Sequence, residues 1–207
     1  MNELVATIQQ LKHSSIQKKI QKRIQEFKHI DTHSAEELFS ELCFCILTAN
    51  FNAERAIQIH AQLHSCFCTE TKESLSKKLK HYGYRFPNTR AAYITESVAY
   101  KDLLPSIIQK LKRDERRAWL VDTITGLGQK ESSHFLRNIG FDDYAIIDSH
   151  ILDLLERYHI IKKPKTLTEK KYREIEKILQ EIATQTNLTL AELDLYLWYL
   201  ETGKILK

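Results

Sequence analysis

The apolar residues of this chain recur at the spacing of an α-helix. Between residues 3 and 28 they follow one another at intervals of three, four and five positions, whereas a strand would alternate apolar and polar residues. They are Val5, Ile8, Leu11, Ile16, Ile20, Ile24 and Phe27. This stripe predicts a helix with a break near His13-Ser14-Ser15, and no later segment shows a strand period over a useful length.

Turn-forming residues are too scarce for a fold of short strands, because the 207 residues include only five glycines and three prolines. Hydrophobic residues make up 43% of the chain, enough for a packed core. We therefore predict an all-α protein. The further helices are expected at 35–49, 51–63, 71–83, 88–100, 104–111, 113–123, 130–138, 149–158, 168–184 and 190–201. Ser34 and Glu37, three residues apart, predict a capping box at the first of these.

The four cysteines form two Cys-x-Cys pairs, Cys43 with Cys45 and Cys66 with Cys68. The first pair lies within an apolar run, which favours buried free thiols. Neither pair has the Cys-x-x-Cys spacing typical of zinc sites, so we expect no metal. No apolar run approaches the roughly 20 residues that a membrane span requires, and the first residues lack the core of a signal peptide. We expect a cytoplasmic protein without a membrane partner.

The segment 126–128, Gly-Leu-Gly, is flanked by two predicted helices. This is the outline of a helix–hairpin–helix element, in which glycines allow positive φ and close approach of the backbone. We expect backbone N–H groups at the start of the second helix to point outward, where a DNA phosphate could accept from them. The alternative is an ordinary helical corner, and the formal charge of +4 fits a polyanionic partner without requiring one.

Lys130 and Asp148 are the candidate reactive residues. Lys130 lies in the first turn of its predicted helix, where the helix dipole disfavours a cation and stability would favour Asp or Glu. A lysine at such a position is a candidate nucleophile, although a solvated lysine is the alternative. Asp148 is a good N-cap for the helix that follows it. If it also faces Lys130, its carboxylate could stabilise positive charge developing on a sugar ring.

Several blocks of the sequence resemble one family of enzymes. The hairpin, its lysine and the aspartate about eighteen residues further on resemble the endonuclease-III-like superfamily of DNA glycosylases. Within that superfamily, "KESSHFLRNIG", "ELCFCILTAN", "GYRFPNTRAAYI" and the ending "LDLYLWYLETGKILK" are similar to the small 8-oxoguanine DNA glycosylase/lyases of archaea and some bacteria. The resemblance extends from about residue 18 to the end of the chain.

The resemblance implies a helix–hairpin–helix glycosylase fold, with two helical lobes and a cleft between them. One lobe would cover about 32–125, and the N-terminal helix with about 126–207 would form the other. It implies a bifunctional enzyme that excises 8-oxoguanine and then nicks the strand by β-elimination. Lys130 would form a Schiff base at C1′, Asp148 would be the catalytic carboxylate, and no cofactor would be needed. The terminal Lys207 would distinguish 8-oxoguanine from guanine.

Further residues are candidates for holding the flipped base and filling its place in the duplex. Trp198 and Asp194, four residues apart, share a helix face and would contact the base through a ring and a polar group. By the resemblance, Asn50 matches the wedge position of the superfamily in outline, and Arg85 and Phe86 are the other candidates. Packing alone is the alternative for both aromatic residues.

The favoured prediction is a monomeric base-excision repair enzyme that acts on double-stranded DNA containing oxidised guanine and is associated with the nucleoid of a prokaryote. The first alternative is a non-catalytic helix–hairpin–helix DNA-binding module. The second is a small basic helical interaction protein that does not bind DNA.

Overall fold

The protein is entirely helical in a computed structural model that describes residues 1–207, so the predicted all-α class is confirmed. The helices are α1 Asn2–Lys12, α2 Ser15–Lys28, α3 Ala35–Thr48, α4 Ala53–Leu63, α5 Lys72–His81, α6 Pro87–Ser97, α7 Leu104–Lys110, α8 Arg113–Thr123, α9 Gln129–Asn138, α10 Ser149–Arg157, α11 Glu169–Thr186 and α12 Leu190–Thr202. Short 3₁₀ segments cover His64–Cys66 and Val98–Leu103.

Most helix boundaries agree with the sequence prediction, and two details differ. The break between α1 and α2 is where it was predicted, with the Ser14 hydroxyl accepting from the Ile16 N–H. The helix predicted over 88–100 instead ends at Ser97 and continues as the 3₁₀ segment. The capping box at α3 is only half formed, because the Glu37 carboxylate accepts from Asp31 N–H rather than from Ser34.

The chain divides into two compact units. Unit 1 comprises Met1–His29 and Leu136–Lys207, and unit 2 comprises Ile30–Phe135. The sequence-based division, near residue 126, had assigned the hairpin to the same lobe as the C-terminal helices. In the structure the hairpin and Lys130 are part of unit 2, and Asp148 is part of unit 1.

Unit 2 is built around α3, whose residues from Leu38 to Thr48 are almost all buried. Two side chains from later in the chain bind the carbonyl oxygens at its C-terminal end. The Tyr84 hydroxyl donates to Leu47 at 2.6 Å, and the Arg90 guanidinium donates to Ala49 at 2.8 Å. Burial raises the pKa of Tyr84, which keeps the hydroxyl a neutral donor.

Unit 1 has a separate apolar core formed by the N-terminal and C-terminal helices. The predicted stripe of α1 and α2 supplies Leu4, Ile8, Ile20, Ile24 and Phe27 to this core. From α12, Leu193, Tyr196 and Leu197 are at most 2% exposed. Residues far apart in sequence share this core, so both the N-terminal and the C-terminal helices contribute to unit 1.

The cysteine side chains agree with the prediction from the sequence. All four cysteines are free, with Cys43 and Cys45 fully buried as predicted. Burial raises the pKa of Cys43 well above its ordinary value, so this thiol is unreactive. No helix has the length and apolar character needed to cross a membrane.

Candidate active site

A tight hairpin joins α8 to α9 and places Lys130 at the second position of α9. Leu127, between the two glycines, is 4% exposed and its N–H donates to the Ile124 carbonyl at 3.1 Å. The apolar side chain anchors the turn in unit 2, while Gly126 and Gly128 remain at the surface. The buried Arg117 of α8 also donates to the Ser133 hydroxyl of α9 at 3.3 Å, which links the two helices beyond the turn.

The two glycines have different structural roles. Gly126 has φ of +93°, and a Cβ atom there would lie 2.4 Å from Cδ2 of Tyr93. Gly128 does not have positive φ, contrary to the expectation for both glycines, and its nearest neighbour to an added Cβ is a Glu131 oxygen at 3.4 Å. Only the first glycine is therefore required by the turn itself.

We expect Gly126→Ala to destabilise the protein by roughly 2 kcal/mol or more, because it combines a left-handed backbone with a steric clash. Gly128→Ala should cost less, up to about 1 kcal/mol, since an added Cβ meets only ordinary contacts and the change loses only the preference for glycine over alanine at a helix N-cap. Urea denaturation of both variants tests this difference. Equal stability of the two would show that the turn relaxes at little cost.

The backbone N–H of Gly128, just before α9, is bonded within the protein. The Gly128 N–H donates to Oε2 of Glu131 at 3.3 Å, so it is directed into the first turn of α9. Glu131 is the third residue of the helix, a position from which a carboxylate commonly accepts a free N–H at the helix start. The predicted binding of a DNA phosphate by backbone N–H groups at the start of α9 stays a prediction, with the Gly128 N–H occupied by Glu131 in this structure.

Lys130 is partly buried and lies beside an acidic neighbour. Its side chain is 24% exposed, and Nζ lies 3.5 Å from Oε1 of Glu131. Glu131 was not among the predicted site residues, although a carboxylate three residues after a glycine at a helix start indicates capping. Glu131 thus contacts the hairpin with one oxygen and the lysine with the other.

In unit 1, the chain before Asp148 is held in place by α11. The Tyr172 hydroxyl donates to the Ala145 carbonyl at 2.7 Å and accepts from the Ile147 N–H at 3.2 Å. The buried carboxylate of Glu176 accepts from the Ala145 N–H at 3.2 Å. These bonds satisfy the backbone of a buried, non-helical segment and fix the point at which α10 begins.

Asp148 is the N-cap of α10, as predicted. Its Oδ1 accepts from the Ile151 N–H at 2.9 Å, and its backbone is extended. The carboxylate is thus held by the helix and by the braced segment before it. Whether it also faces Lys130 stays a prediction, because the two residues belong to different units.

Trp198 has an exposed partner that the sequence analysis missed. The ring of His150, two residues after Asp148, meets the Trp198 ring edge-on with centroids 5.0 Å apart. The Trp198 Nε1–H is buried and has no hydrogen-bond acceptor. A buried donor without a partner is uncommon in proteins. The sequence Asp148-Ser149-His150 contains no pattern that predicts the contact of His150 with Trp198.

Asp194 is paired with a cation rather than left available to a base. Its Oδ2 lies 3.3 Å from Nη1 of Arg137, and both side chains are nearly buried, at 11% and 4% exposure. The Arg137 guanidinium also stacks 4.5 Å from the Phe27 ring centroid. This ion pair gives Asp194 a structural role in unit 1, and its predicted contact with a base stays a prediction.

The remaining candidates lie at the ends of elements. In unit 2, Asn50 follows α3 with φ of +55° and is exposed, and Phe86 is 38% exposed with the Arg85 guanidinium 4.9 Å from its ring. In unit 1, Lys207 is partly buried. An exposed aromatic ring beside a cation suits a wedge that enters a base stack, a role that stays a prediction.

Two helices joined by a Gly-x-Gly hairpin, with a lysine in the first turn beyond it, have the architecture of the helix–hairpin–helix DNA glycosylases. The chain belongs to the family described as Ogg-HhH, 8-oxoguanine DNA glycosylase, whose pattern it matches over residues 20–188. The resemblance given by the sequence blocks is thereby confirmed.

Relatives of this family match the chain along almost its full length. The 8-oxoguanine DNA glycosylase/AP lyase of Methanocaldococcus jannaschii is 50% identical over 206 residues, covering 99% of each chain. That of Korarchaeum cryptofilum is 49% identical over 210 residues, covering 100% of this chain and 99% of the relative.

Solved structures agree with these sequence matches. The crystal structure of the Methanocaldococcus jannaschii glycosylase/lyase in complex with a 15mer DNA containing 8-oxoguanine superposes with a TM-score of 0.94, covering 99% of this chain and 100% of that one. The 8-oxoguanine DNA glycosylase of Thermotoga maritima, 36% identical, superposes with a TM-score of 0.93, covering 100% and 99%.

Proposed function

We propose that this protein is a bifunctional 8-oxoguanine DNA glycosylase and AP lyase that acts on double-stranded DNA in base excision repair. The observation that carries the proposal is the full-length, 50% identical relative bearing that name. The local structure supports it, because Lys130 is the second residue of α9, directly after the hairpin, and Asp148 is the N-cap of α10.

In the proposed reaction, the amine of Lys130 attacks C1′ of the damaged nucleotide and the N-glycosidic bond breaks. The base leaves with the electron pair of that bond and takes up one proton given up by the amine; the C1′–O4′ bond then breaks, O4′ takes up the second amine proton, and C1′ is left as an imine with the lysine. Loss of a proton from C2′ then expels the 3′ phosphate by β-elimination, which nicks the strand. Asp148, held as the cap of α10, stabilises positive charge on the sugar while the base departs.

Borohydride trapping on a duplex with one 8-oxoguanine tests the proposal. Borohydride reduces an imine to a stable amine, so a Schiff-base enzyme becomes covalently attached to the damaged strand. We expect the wild-type protein to crosslink and, without borohydride, to nick the strand at the lesion. Binding without crosslink or nick would favour the non-catalytic DNA-binding module, and absence of binding would favour the interaction protein.

We further propose that Lys207 contributes to recognition of the oxidised base. 8-Oxoguanine differs from guanine by a C8 carbonyl and an N7–H donor, and a backbone carbonyl at Lys207 would be an acceptor for that donor. Deleting Lys207 should reduce the ratio of excision rates for 8-oxoguanine over guanine by about 10-fold, the effect of one lost hydrogen bond. Single-turnover excision from both duplexes measures this ratio. Equal weakening of lesion recognition and of general DNA binding would count against the role.

The expected partner is duplex DNA with oxidised guanine, bound by a monomer in the cytoplasm near the nucleoid. Sedimentation velocity with and without a lesion-containing duplex measures the stoichiometry, for which we expect one protein per lesion.

A further inference from the structure

We propose that Glu131 is a positioning residue for Lys130, and this inference rests on the proposed function, in which Lys130 is the nucleophile. The Glu131 carboxylate contacts two parts of the candidate site, the hairpin backbone and the Lys130 side chain. Oε2 accepts from the Gly128 N–H at 3.3 Å, and Oε1 lies 3.5 Å from Nζ of Lys130. One side chain thereby connects the hairpin backbone to the end of the flexible lysine.

The contact with Lys130 is not the default geometry for neighbouring residues on a helix. Side chains at adjacent positions diverge around the helix axis and do not face each other. Lys130 and Glu131 nevertheless meet, and their side chains are only 24% and 17% exposed. The lysine is therefore directed back toward the hairpin, which reduces the number of conformations open to its four-carbon chain.

Capping alone does not require this arrangement. A carboxylate that caps a helix start needs one oxygen for the N–H, and its second oxygen can remain in water. Glu115 of α8 gives a comparison within unit 2. It also occupies the third position of its helix, its Oε2 accepts from the Lys112 N–H at 3.1 Å, and its side chain is exposed.

Holding a nucleophile in a restricted set of conformations increases its rate of attack, because less freedom is lost when the reacting atoms meet. Glu131 acts through Lys130 and need not touch the DNA. Its removal should therefore affect the rate of imine formation and leave the affinity for DNA unchanged.

The test compares Glu131→Gln with Glu115→Gln on a duplex with a pre-formed abasic site, which isolates imine formation from base excision. In Glu131→Gln the amide oxygen of the new side chain can still accept from the Gly128 N–H, so the cap is kept while the charge beside Lys130 is lost. With enzyme in excess, we expect borohydride trapping by Glu131→Gln to be slower by on the order of 10-fold. The dissociation constant for the same duplex should remain at the wild-type value.

Glu115→Gln should trap at the wild-type rate, since it removes a capping charge of the same kind, whose oxygen binds the Lys112 N–H at the start of α8. The rate is taken per DNA-bound enzyme, so any loss of folded protein does not imitate the effect. A Glu131→Gln variant that traps as fast as wild type, or faster, would overturn the inference. A slower trapping rate that is fully explained by weaker DNA binding would overturn the inference as well. If the wild-type protein traps nothing, the proposed function itself fails.

Discussion

Lys130→Gln is expected to abolish borohydride crosslinking and to reduce strand nicking by at least about 10³-fold, because the imine cannot form without the amine. Glutamine has nearly the length of lysine and keeps a polar end, so the first turn of α9 should be preserved. The dissociation constant for a duplex with 8-oxoguanine should remain within about threefold of wild type, since a single lost charge changes phosphate binding little. Gel-based nicking, trapping and fluorescence anisotropy provide these measurements.

Lys112→Gln is a suitable control for the loss of one positive charge. Lys112 is exposed at the start of α8, in the same unit as Lys130. This variant should crosslink like wild type. A Lys130→Gln protein that still nicks through a trapped intermediate would assign the nucleophile to another amine.

Asp148→Asn is expected to slow excision of 8-oxoguanine by about 10²–10⁴-fold while leaving the protein folded. Asparagine is as good an N-cap as aspartate, so the bond from the Ile151 N–H is retained and only the charge is lost. The free energy of unfolding should change by less than about 0.5 kcal/mol. Single-turnover excision and thermal denaturation of the same preparation measure the two effects separately.

Asp148→Ala separates the cap from the charge. It removes both, and we expect an additional loss of about 1 kcal/mol in stability relative to Asp148→Asn. An Asp148→Asn protein with wild-type excision would leave Asp148 with a structural role alone.

The helical fold could be predicted from local sequence patterns. The stripe of α1 and α2, the Ser34 cap and the Asp148 cap each depend on residues within a few positions of one another. The boundary near Ser97 was missed because the change from α-helix to 3₁₀ geometry has no marker such as glycine or proline at that point. Propensity is weak there, and the surrounding contacts decide the geometry.

The candidate site could be predicted in part. Lys130 and Asp148 were selected as candidates because one occupies an unfavourable position for a cation and the other a favourable position for a cap; the structure confirms the cap, and the reactive roles stay predictions. The pairing of Asp194 with Arg137 and the contact of His150 with Trp198 were missed, since each joins residues dozens of positions apart. Such contacts arise from packing in unit 1, which residue spacing within one helix does not reveal.

The most direct measurement identifies the atom that becomes attached to the sugar. Wild-type protein is trapped with borohydride on 8-oxoguanine DNA, the DNA is digested to the modified sugar, and the peptides are mapped by mass spectrometry. The proposed chemistry predicts a reduced deoxyribose adduct on the side chain of Lys130. An adduct on any other lysine or on the N-terminal amine, with Lys130 unmodified, would contradict it.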